Sequence, residues 1–213
     1  MTKALIIVDI QNDFLPPKGS LAVADGDQIV GPVAQLMRDP RWSCVVMTKD
    51  WHPRDHISFA CNHGLADFSR FQYQSPVKPG ETQDATLWPV HCVQNTWGSE
   101  VAPELESSFA QLEVDHYVVN KGYLADREYY SGFNDIWNDH RTELADILAR
   151  HGATDVFVVG LALDYCVKNT AISAAALGYR TTILKDYTRA IATDEHAMAQ
   201  LRLELVQNDV QLK

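Results

Sequence analysis

The sequence contains little that would suit a membrane or a nucleic acid. Its N-terminal apolar run stops at Asp9, which is too short to cross a bilayer, and it shows no cleavable signal pattern. Lys and Arg number 18 against 28 Asp and Glu, so the net charge is -10 and the surface repels polyanions. We therefore expect neither a membrane nor a nucleic acid as a partner.

Cysteine is also scarce, and nothing in its spacing indicates a disulfide framework. The chain has four cysteines in 213 residues, and no two of them form a CxxC pair. This usage is typical of a reducing compartment, so we expect a cytoplasmic protein. No linker rich in Pro, Gly or Ser interrupts the chain, and we predict a single domain over residues 1–213.

Short apolar runs alternate with segments of helical periodicity along most of the chain. The runs predict strands at 3–8, 43–48, 113–119, 155–160, 181–184 and 210–212, and the periodic segments predict helices near 29–37, 139–151, 166–177 and 194–205. Residues 53–94 have weak periodicity and are interpreted as an excursion over one edge of the sheet. The alternation predicts a three-layer αβα fold with a mostly parallel central sheet and helices on both faces.

Chemically useful side chains follow four of the predicted strands. Asp9, Asp50, Lys121 and Cys166 each come at or just after the carboxyl end of a different strand. Ligand crevices of open parallel sheets lie beyond these ends. We therefore expect the four residues to meet in one cleft.

Cys166 lies where a strand turns at Gly160 and gives way to a helix. Unpaired N–H groups and the helix dipole favour a thiolate there, with Asp9 as a base and Lys121 as a stabilising cation. The turn that follows Gly160 could also direct N–H groups at an oxyanion. An alternative stays open, in which Asp9 and Lys121 form a structural ion pair and Cys166 is a small buried residue.

A second group of residues has the character of metal ligands. Asp50 and His52 are two apart at a strand end, and His91 could complete a site with open positions. Carboxylate and imidazole together suit zinc, iron or manganese. His56 and Ser58 are close enough in sequence to join directly or through water. The alternative is that the Asp-x-His pair only decorates the surface.

Aromatic residues occur in the loops that flank these positions, where they could offer flat faces to a planar ring. They are Phe14, Trp88, Tyr123, Tyr130 and Tyr165. Each could instead be a packing residue, but as a set they favour an aromatic substrate.

Several motifs together resemble one protein family. In order and approximate spacing, the chain resembles the nicotinamidase/pyrazinamidase branch of the isochorismatase-like cysteine hydrolases, and the motifs are Val8-Asp9-Ile10-Gln11-Asn12-Asp13-Phe14, Asp50-Trp51-His52-Pro53, Trp88-Pro89-Val90-His91-Cys92, Lys121-Gly122 and Gly160-Leu161-Ala162-Leu163-Asp164-Tyr165-Cys166-Val167. The Asp, Lys and Cys motifs are shared across the superfamily. The Asp-Trp-His and Trp-Pro-x-His-Cys motifs indicate the nicotinamidase branch.

The resemblance implies a role for each matching residue. It implies an Asp9, Lys121, Cys166 triad, a metal held by Asp50, His52 and His91, and a cis peptide between Leu161 and Ala162. It further implies that the N–H groups of Ala162 and Cys166 form the oxyanion hole. The substrate ring would lie between Phe14 and Trp88, and the remaining substrate-binding residues would be Tyr130, Ala162 and Tyr165.

The implied activity is hydrolysis of nicotinamide to nicotinate and ammonia through a thioester, in NAD salvage, with pyrazinamide as a further substrate. The implied cofactor is one divalent metal, usually zinc, with iron or manganese as alternatives, and the implied assembly is a homo-oligomer. A superfamily hydrolase of ureido or carbamoyl amides is the main alternative. A metal-hydroxide hydrolase with a structural Cys166 and a non-enzymatic metal- or redox-responsive binding protein are the others.

The chain departs from many relatives at two places. Leu163 stands where a small hydroxyl residue is common, and residues 128–133 read Glu-Tyr-Tyr-Ser-Gly-Phe where an Asp-Ser-Tyr-Ser-x-Phe segment is common. Neither departure touches the triad or the metal ligands. Both are expected to affect the shape of the pocket, and so the choice between nicotinamide and related amides.

Overall fold

A six-stranded parallel sheet forms the centre of the computed structural model, which describes residues 1–213. The whole chain has eight strands, six of them in this sheet: β1 Lys3–Val8, β2 Trp42–Asp50, β3 Arg70–Gln74, β4 Thr82–Thr86, β5 His116–Lys121, β6 Asp155–Leu161, β7 Arg180–Arg189 and β8 Val210–Leu212. The central sheet has the order β5-β2-β1-β6-β7-β8, and β3 pairs with β4 in a separate antiparallel hairpin. Every pairing in the central sheet is parallel, so all six carboxyl ends lie at one edge.

Helices cover both faces of the sheet. They are α1 Val30–Leu36, α2 Pro103–Phe109, α3 Leu144–Arg150, α4 Lys168–Ala176 and α5 Glu195–Gln207. Single turns of 3-10 helix occupy Asn12–Phe14, Gly26–Ile29, Ala60–His63 and Trp97–Ser99, and a π-helical turn spans Leu163–Val167.

Side chains of β1 alternate between two hydrophobic clusters, because successive residues of a strand point to opposite faces. Leu5 and Ile7 pack with α1 and α2 on one face. Ala4, Ile6 and Val8 pack with α3, α4 and α5 on the other. Burial on both faces explains why β1 reads as an unbroken apolar run. The predicted three-layer αβα fold is confirmed.

Some elements differ from the prediction in extent. The helix predicted at 139–151 begins at Leu144, because residues before it pair back to the preceding loop: Thr142 donates to the carbonyl of Gly132 at 2.6 Å. Helix α2 and the β3–β4 hairpin were not predicted. Both are short, and most side chains of the hairpin are exposed or half-buried. Their sequences therefore show no clear apolar periodicity from which a helix or strand could be predicted. None of the helices has the length and apolar character required to span a bilayer.

Candidate active site

Four side chains from four strand ends converge on one buried point. Asp9 follows β1, Asp50 ends β2, Lys121 ends β5, and Cys166 lies in the π-helical turn after β6. The Lys121 Nζ lies 2.8 Å from Asp9 Oδ2, 2.5 Å from Asp50 Oδ1 and 3.4 Å from Cys166 Sγ. The nearest ligand atoms of Asp9, Asp50 and Cys166 lie within 4.8 Å of one another. The structure thus brings together the four residues that the strand ends single out.

Burial and neighbouring charges shift the pKa values of Lys121, Asp50 and Asp9 in different directions. Burial alone would lower the pKa of Lys121, but the carboxylates of Asp50 and Asp9 hold it well above its usual range, so this lysine is a cation. Burial opposes ionisation of Asp50, yet Lys121 and the two histidines lower its pKa overall. Burial keeps the pKa of Asp9 raised despite Lys121. Asp9 is therefore the more basic of the two carboxylates.

Cys166 is a thiol in the resting protein. Burial raises its pKa well above the usual range; Lys121 opposes this, and the carboxylates of Asp9 and Asp50 add to it. Helix α4 begins only at Lys168, so the helix terminus does not overcome the desolvation of Cys166. The thiolate expected from the helix position alone is not the resting state. For Cys166 to act as a nucleophile this proton must leave, and a carboxylate oxygen of Asp9 lies within 4.8 Å of the sulfur.

Thr48 was missed by the sequence analysis. Its hydroxyl donates to Asp9 Oδ1 at 2.6 Å, which leaves the second carboxylate oxygen for Lys121. The sequence could have indicated it, because a threonine two residues before Asp50, in a strand predicted to be buried, lies level with the end of β1. Thr48 holds the Asp9 carboxylate in one orientation.

Asp50, His52 and His91 form a compact, buried group whose ligand atoms lie within 4.8 Å of one another. The Nδ1–H of His52 donates to the carbonyl of Gly122 at 2.8 Å, and that of His91 donates to the carbonyl of Pro89 at 2.7 Å. In the neutral rings each Nε2 carries a lone pair, and these atoms lie 3.6 Å and 3.9 Å from Asp50 Oδ2. Burial lowers the pKa of His91 to about 4, which keeps it neutral. One carboxylate and two oriented imidazoles fit a divalent metal such as zinc, iron or manganese.

His56 and Ser58 lie next to this group. The His56 ring is 4.1 Å from that of His52, and its Nδ1 is 2.7 Å from Ser58 Oγ. The closely spaced group comprises Asp50, His52 and His91. A direct or water-mediated contribution of His56 and Ser58 to metal binding stays a prediction.

Gly122 makes room for the His52 ring, and its replacement tests whether His52 binds a metal. Its φ is +69°, and a side chain there would overlap the His52 ring. We expect Gly122→Ala to displace His52 and weaken zinc binding by about 10- to 100-fold, as measured by chelator competition. Gly152→Ala is the matched control, since its φ is +59° but no atom lies near the added carbon. Equal zinc affinity in the two variants would show that His52 is not a ligand.

A largely apolar cavity opens onto both groups. Twelve residues line it, namely Phe14, Leu21, Asp50, Trp88, His91, Glu128, Tyr129, Tyr130, Ala162, Tyr165, Cys166 and Ile191. The rings of Trp88 and Tyr165 meet edge to face at 4.8 Å, and Trp88 Nε1–H donates to the Tyr130 hydroxyl at 3.4 Å. Of the aromatic residues singled out from the sequence, only Tyr123 lies elsewhere, near Tyr129 and His140.

The two departures from the family pattern have different outcomes. Leu163 is buried in the hydrophobic cluster on the α3–α5 face and does not line the cavity, so the expected effect on pocket shape is not seen there. Glu128, Tyr129 and Tyr130 do line it. The Glu128 carboxyl accepts the N–H of Tyr129 at 2.8 Å, and burial raises its pKa. Residues 128–130 thus shape the pocket as expected, whereas Leu21 and Ile191 are pocket residues that the sequence analysis did not assign.

The peptide between Leu161 and Ala162 is cis, as the resemblance implies. The N–H groups of Tyr165 and Val167 both donate to the carbonyl of Ala162 at 3.1 Å. These bonds fold the turn so that Ala162 and Cys166 line the same cavity.

A parallel α/β sheet with a buried Asp, Lys and Cys cluster at its carboxyl edge is the arrangement of a cysteine hydrolase. Comparison with known proteins identifies the family. The isochorismatase domain model matches residues 3–212, and the chain belongs to the isochorismatase family. The family predicted from the motifs is confirmed.

Within that family, the chain is similar to nicotinamidases. It is 47% identical to the nicotinamidase of Saccharomyces cerevisiae over 98% of this chain and 97% of the relative. A crystal structure of the yeast nicotinamidase bound to the inhibitor nicotinaldehyde superposes with a TM-score of 0.94, at 46% identity over 99% of each chain. The pyrazinamidase of Pyrococcus horikoshii in complex with zinc has a TM-score of 0.74 at 30% identity, over 100% of this chain and 99% of that one.

Proposed function

We propose that this protein is a nicotinamidase, which hydrolyses nicotinamide to nicotinate and ammonia through a cysteine thioester. The observation that carries the proposal is that the Asp9, Lys121 and Cys166 cluster and the Asp50, His52 and His91 group open onto one aromatic cavity. A nucleophile and a Lewis-acid site in one pocket suit an amide carried on a nitrogen-containing ring. The likeness to the yeast nicotinamidase supports the same conclusion.

Substrate binding rests on the pocket walls. Phe14, Trp88, Tyr130, Ala162 and Tyr165 line the cavity, and Phe14 and Trp88 would offer ring faces to the pyridine. Asp50, His52 and His91 would hold one divalent metal, most often zinc, with iron or manganese as alternatives; it would supply a Lewis acid for the ring nitrogen. In this role the pocket orients the amide toward Cys166.

The first half of the reaction forms the thioester. Asp9 accepts the thiol proton of Cys166, and the sulfur attacks the carboxamide carbon while Lys121 stabilises the thiolate. The N–H groups of Ala162 and Cys166 hold the oxyanion. Asp9 returns the proton to the leaving nitrogen, the C–N bond breaks, and ammonia departs.

The second half regenerates the enzyme. Asp9 takes a proton from water, whose oxygen attacks the thioester carbon. The C–S bond breaks, Asp9 returns the proton to the Cys166 sulfur, and the carboxylic acid product releases its own proton to solvent and leaves as nicotinate. One water is consumed in each cycle, and Asp9 ends in its starting state.

The proposal is tested by incubating the purified protein with nicotinamide and measuring ammonia and nicotinate together, with metal content on the same sample. Equal amounts of both products are expected, with pyrazinamide turned over as well. Pyrazinamide and a carbamoyl amide are assayed in parallel. Turnover of the carbamoyl amide alone would favour the other superfamily activity, and no turnover of any amide would favour a binding protein.

Asp164 holds one lip of the cavity. Its carboxylate accepts the N–H groups of Ile191 at 3.0 Å and Ala192 at 2.8 Å, and Ile191 lines the pocket. We expect Asp164→Ala to release this segment and raise the KM for nicotinamide about 10-fold, with a smaller change in kcat, because a charged hydrogen bond contributes about 1.5–3 kcal/mol.

Asp194→Ala is the control for the Asp164 variant, since its carboxylate caps α5 through Ala197 N–H at 3.0 Å and does not hold Ile191. Steady-state kinetics distinguish the two. A KM for Asp164→Ala that matches the control would mean that the lip does not contribute to binding.

Three broader statements belong to the proposal. We infer a place in NAD salvage from the reaction, and a cytoplasmic location from the four cysteines, all of which are free thiols. Self-association and a single domain over residues 1–213 stay predictions.

A further inference from the structure

The polar residues that follow Asp9 reach into the segments that carry the metal ligands. Gln11 is completely buried. Its Nε2 donates to the carbonyls of Asp50 at 2.8 Å and Ser99 at 2.9 Å, and its Oε1 accepts the N–H of Asp50 at 2.8 Å. Because these partners are backbone groups of known polarity, the orientation of the amide is unambiguous.

Gln11 takes the place of a peptide group in the sheet. The β1–β2 pairing ends at Val8 and Thr48, and the backbone then turns at Asp9 with φ +49°. Asp50 is therefore beyond the reach of the β1 backbone. The Gln11 amide pairs with both the N–H and the carbonyl of Asp50, as a neighbouring strand would. This fixes the backbone from which the first metal ligand projects.

Asp13 makes an equivalent contact with the segment of the third ligand. Its Oδ2 accepts the N–H of Cys92 at 2.7 Å, directly after His91. Cys92 has φ +46°, a left-handed conformation that is uncommon for a residue with a side chain. A side chain at Gly98 would overlap the Asp13 carboxylate, so that carboxylate lies tightly against the backbone. Asp13 thus holds a strained turn beside His91.

The two ligand segments also bond to each other. His52 N–H donates to the carbonyl of Cys92 at 3.0 Å, and Gln94 N–H donates to the carbonyl of His52 at 2.9 Å. Gln11 fixes one side of this pair of segments and Asp13 fixes the other. Neither side chain belongs to the ligand group itself.

We propose that Gln11 and Asp13 are positioning residues that set the geometry of the metal site formed by Asp50, His52 and His91. The inference rests on the metal site of the proposed function. Partners that orient metal ligands contribute about 10- to 100-fold to metal affinity. Gln11 and Asp13 thus orient the metal ligands, whereas Asp9 of the same motif faces Lys121 and Cys166.

Zinc affinity of the metal-free protein tests this inference. It is measured by competition with a chromophoric chelator for wild type, Gln11→Met and Asp13→Ala, and circular dichroism confirms that each variant is folded. Gln11→Met keeps the volume of the side chain but removes its hydrogen bonds. We expect zinc to bind about 10- to 100-fold more weakly to both variants.

Two further variants separate positioning from a general loss of stability. Asn12→Ala is the matched control, because Asn12 donates to the carbonyl of Trp97 at 2.8 Å, outside the ligand segments. Its zinc affinity is expected to stay near that of wild type even if its melting temperature falls. Asp13→Asn keeps an oxygen for the Cys92 N–H and is expected to recover most of the affinity that Asp13→Ala loses.

Each outcome decides the inference. Wild-type affinity in folded Gln11→Met and Asp13→Ala would overturn it and leave the proposed metal site intact. Equal weakening in Asn12→Ala would also overturn it, because the effect would then be a general one. A wild type that binds no zinc would overturn both the inference and the proposed site. If Gln11→Met does not fold, the comparison of Asp13→Ala with Asp13→Asn decides alone.

Discussion

Replacing Cys166 with alanine is expected to reduce ammonia release from nicotinamide by about 10⁴-fold or more, the scale on which loss of a covalent nucleophile acts. The side chain ends 3.4 Å from the Lys121 cation, on the wall of the cavity, and no other cysteine lines that cavity. Metal content is expected to stay at the wild-type level, because Cys166 is not in the Asp50, His52, His91 group. Both quantities are measured on the same preparation.

His52→Ala is the counterpart of that variant. If the thioester mechanism holds, His52→Ala is expected to lose the metal and bind substrate more weakly, while the Cys166 thiol stays in place. Activity that survives in Cys166→Ala and disappears in His52→Ala would replace the thioester mechanism with attack by a metal-bound hydroxide.

Lys121→Met is expected to lower the free energy of unfolding by about 3–5 kcal/mol, besides abolishing activity. The ammonium is completely buried and pairs with Asp9 and Asp50 at 2.8 Å and 2.5 Å. Its removal leaves two buried carboxylates without their cationic partner, and a broken buried ion pair has this cost. Urea unfolding of the two proteins measures the difference.

Lys168→Met controls for the loss of a lysine. Lys168 pairs with Glu204 at 2.7 Å, but the Glu204 side chain is 45% exposed, so this substitution is expected to cost about 1 kcal/mol or less. Similar losses in the two variants would contradict a strongly stabilising role for the Lys121 cluster.

The sequence was informative where one strong physical pattern governed the structure. Continuous apolar runs located β1 and β6, since both strands are buried on two faces. The parallel arrangement then placed the carboxyl ends of the predicted strands at one edge of the sheet. For this reason Asp9, Lys121 and Cys166 could be assigned to one cleft without knowledge of the loops.

The other site residues depend on the path of the loops. Ile191 reaches the cavity only because Asp164 holds the backbone after β7, and Gln11 meets Asp50 only because the chain turns at Asp9. Glu128 lies in a segment without helical or strand periodicity. Such contacts are set by individual hydrogen bonds between distant parts of the chain, and local patterns carry no information about them.

The position of β1 between β2 and β6 has a consequence for biosynthesis. Lys3 of β1 pairs with Asp155 of β6, so about 150 residues must be made before the first strand gains its second neighbour. At about 5–20 residues per second, roughly 8–30 seconds pass in which this edge of β1 stays unpaired on the ribosome. An unpaired strand edge is a template for pairing with other chains, so we expect the nascent chain to be prone to aggregation in this interval. Asp9 meets Cys166 only after β6 and the turn that follows it have been made.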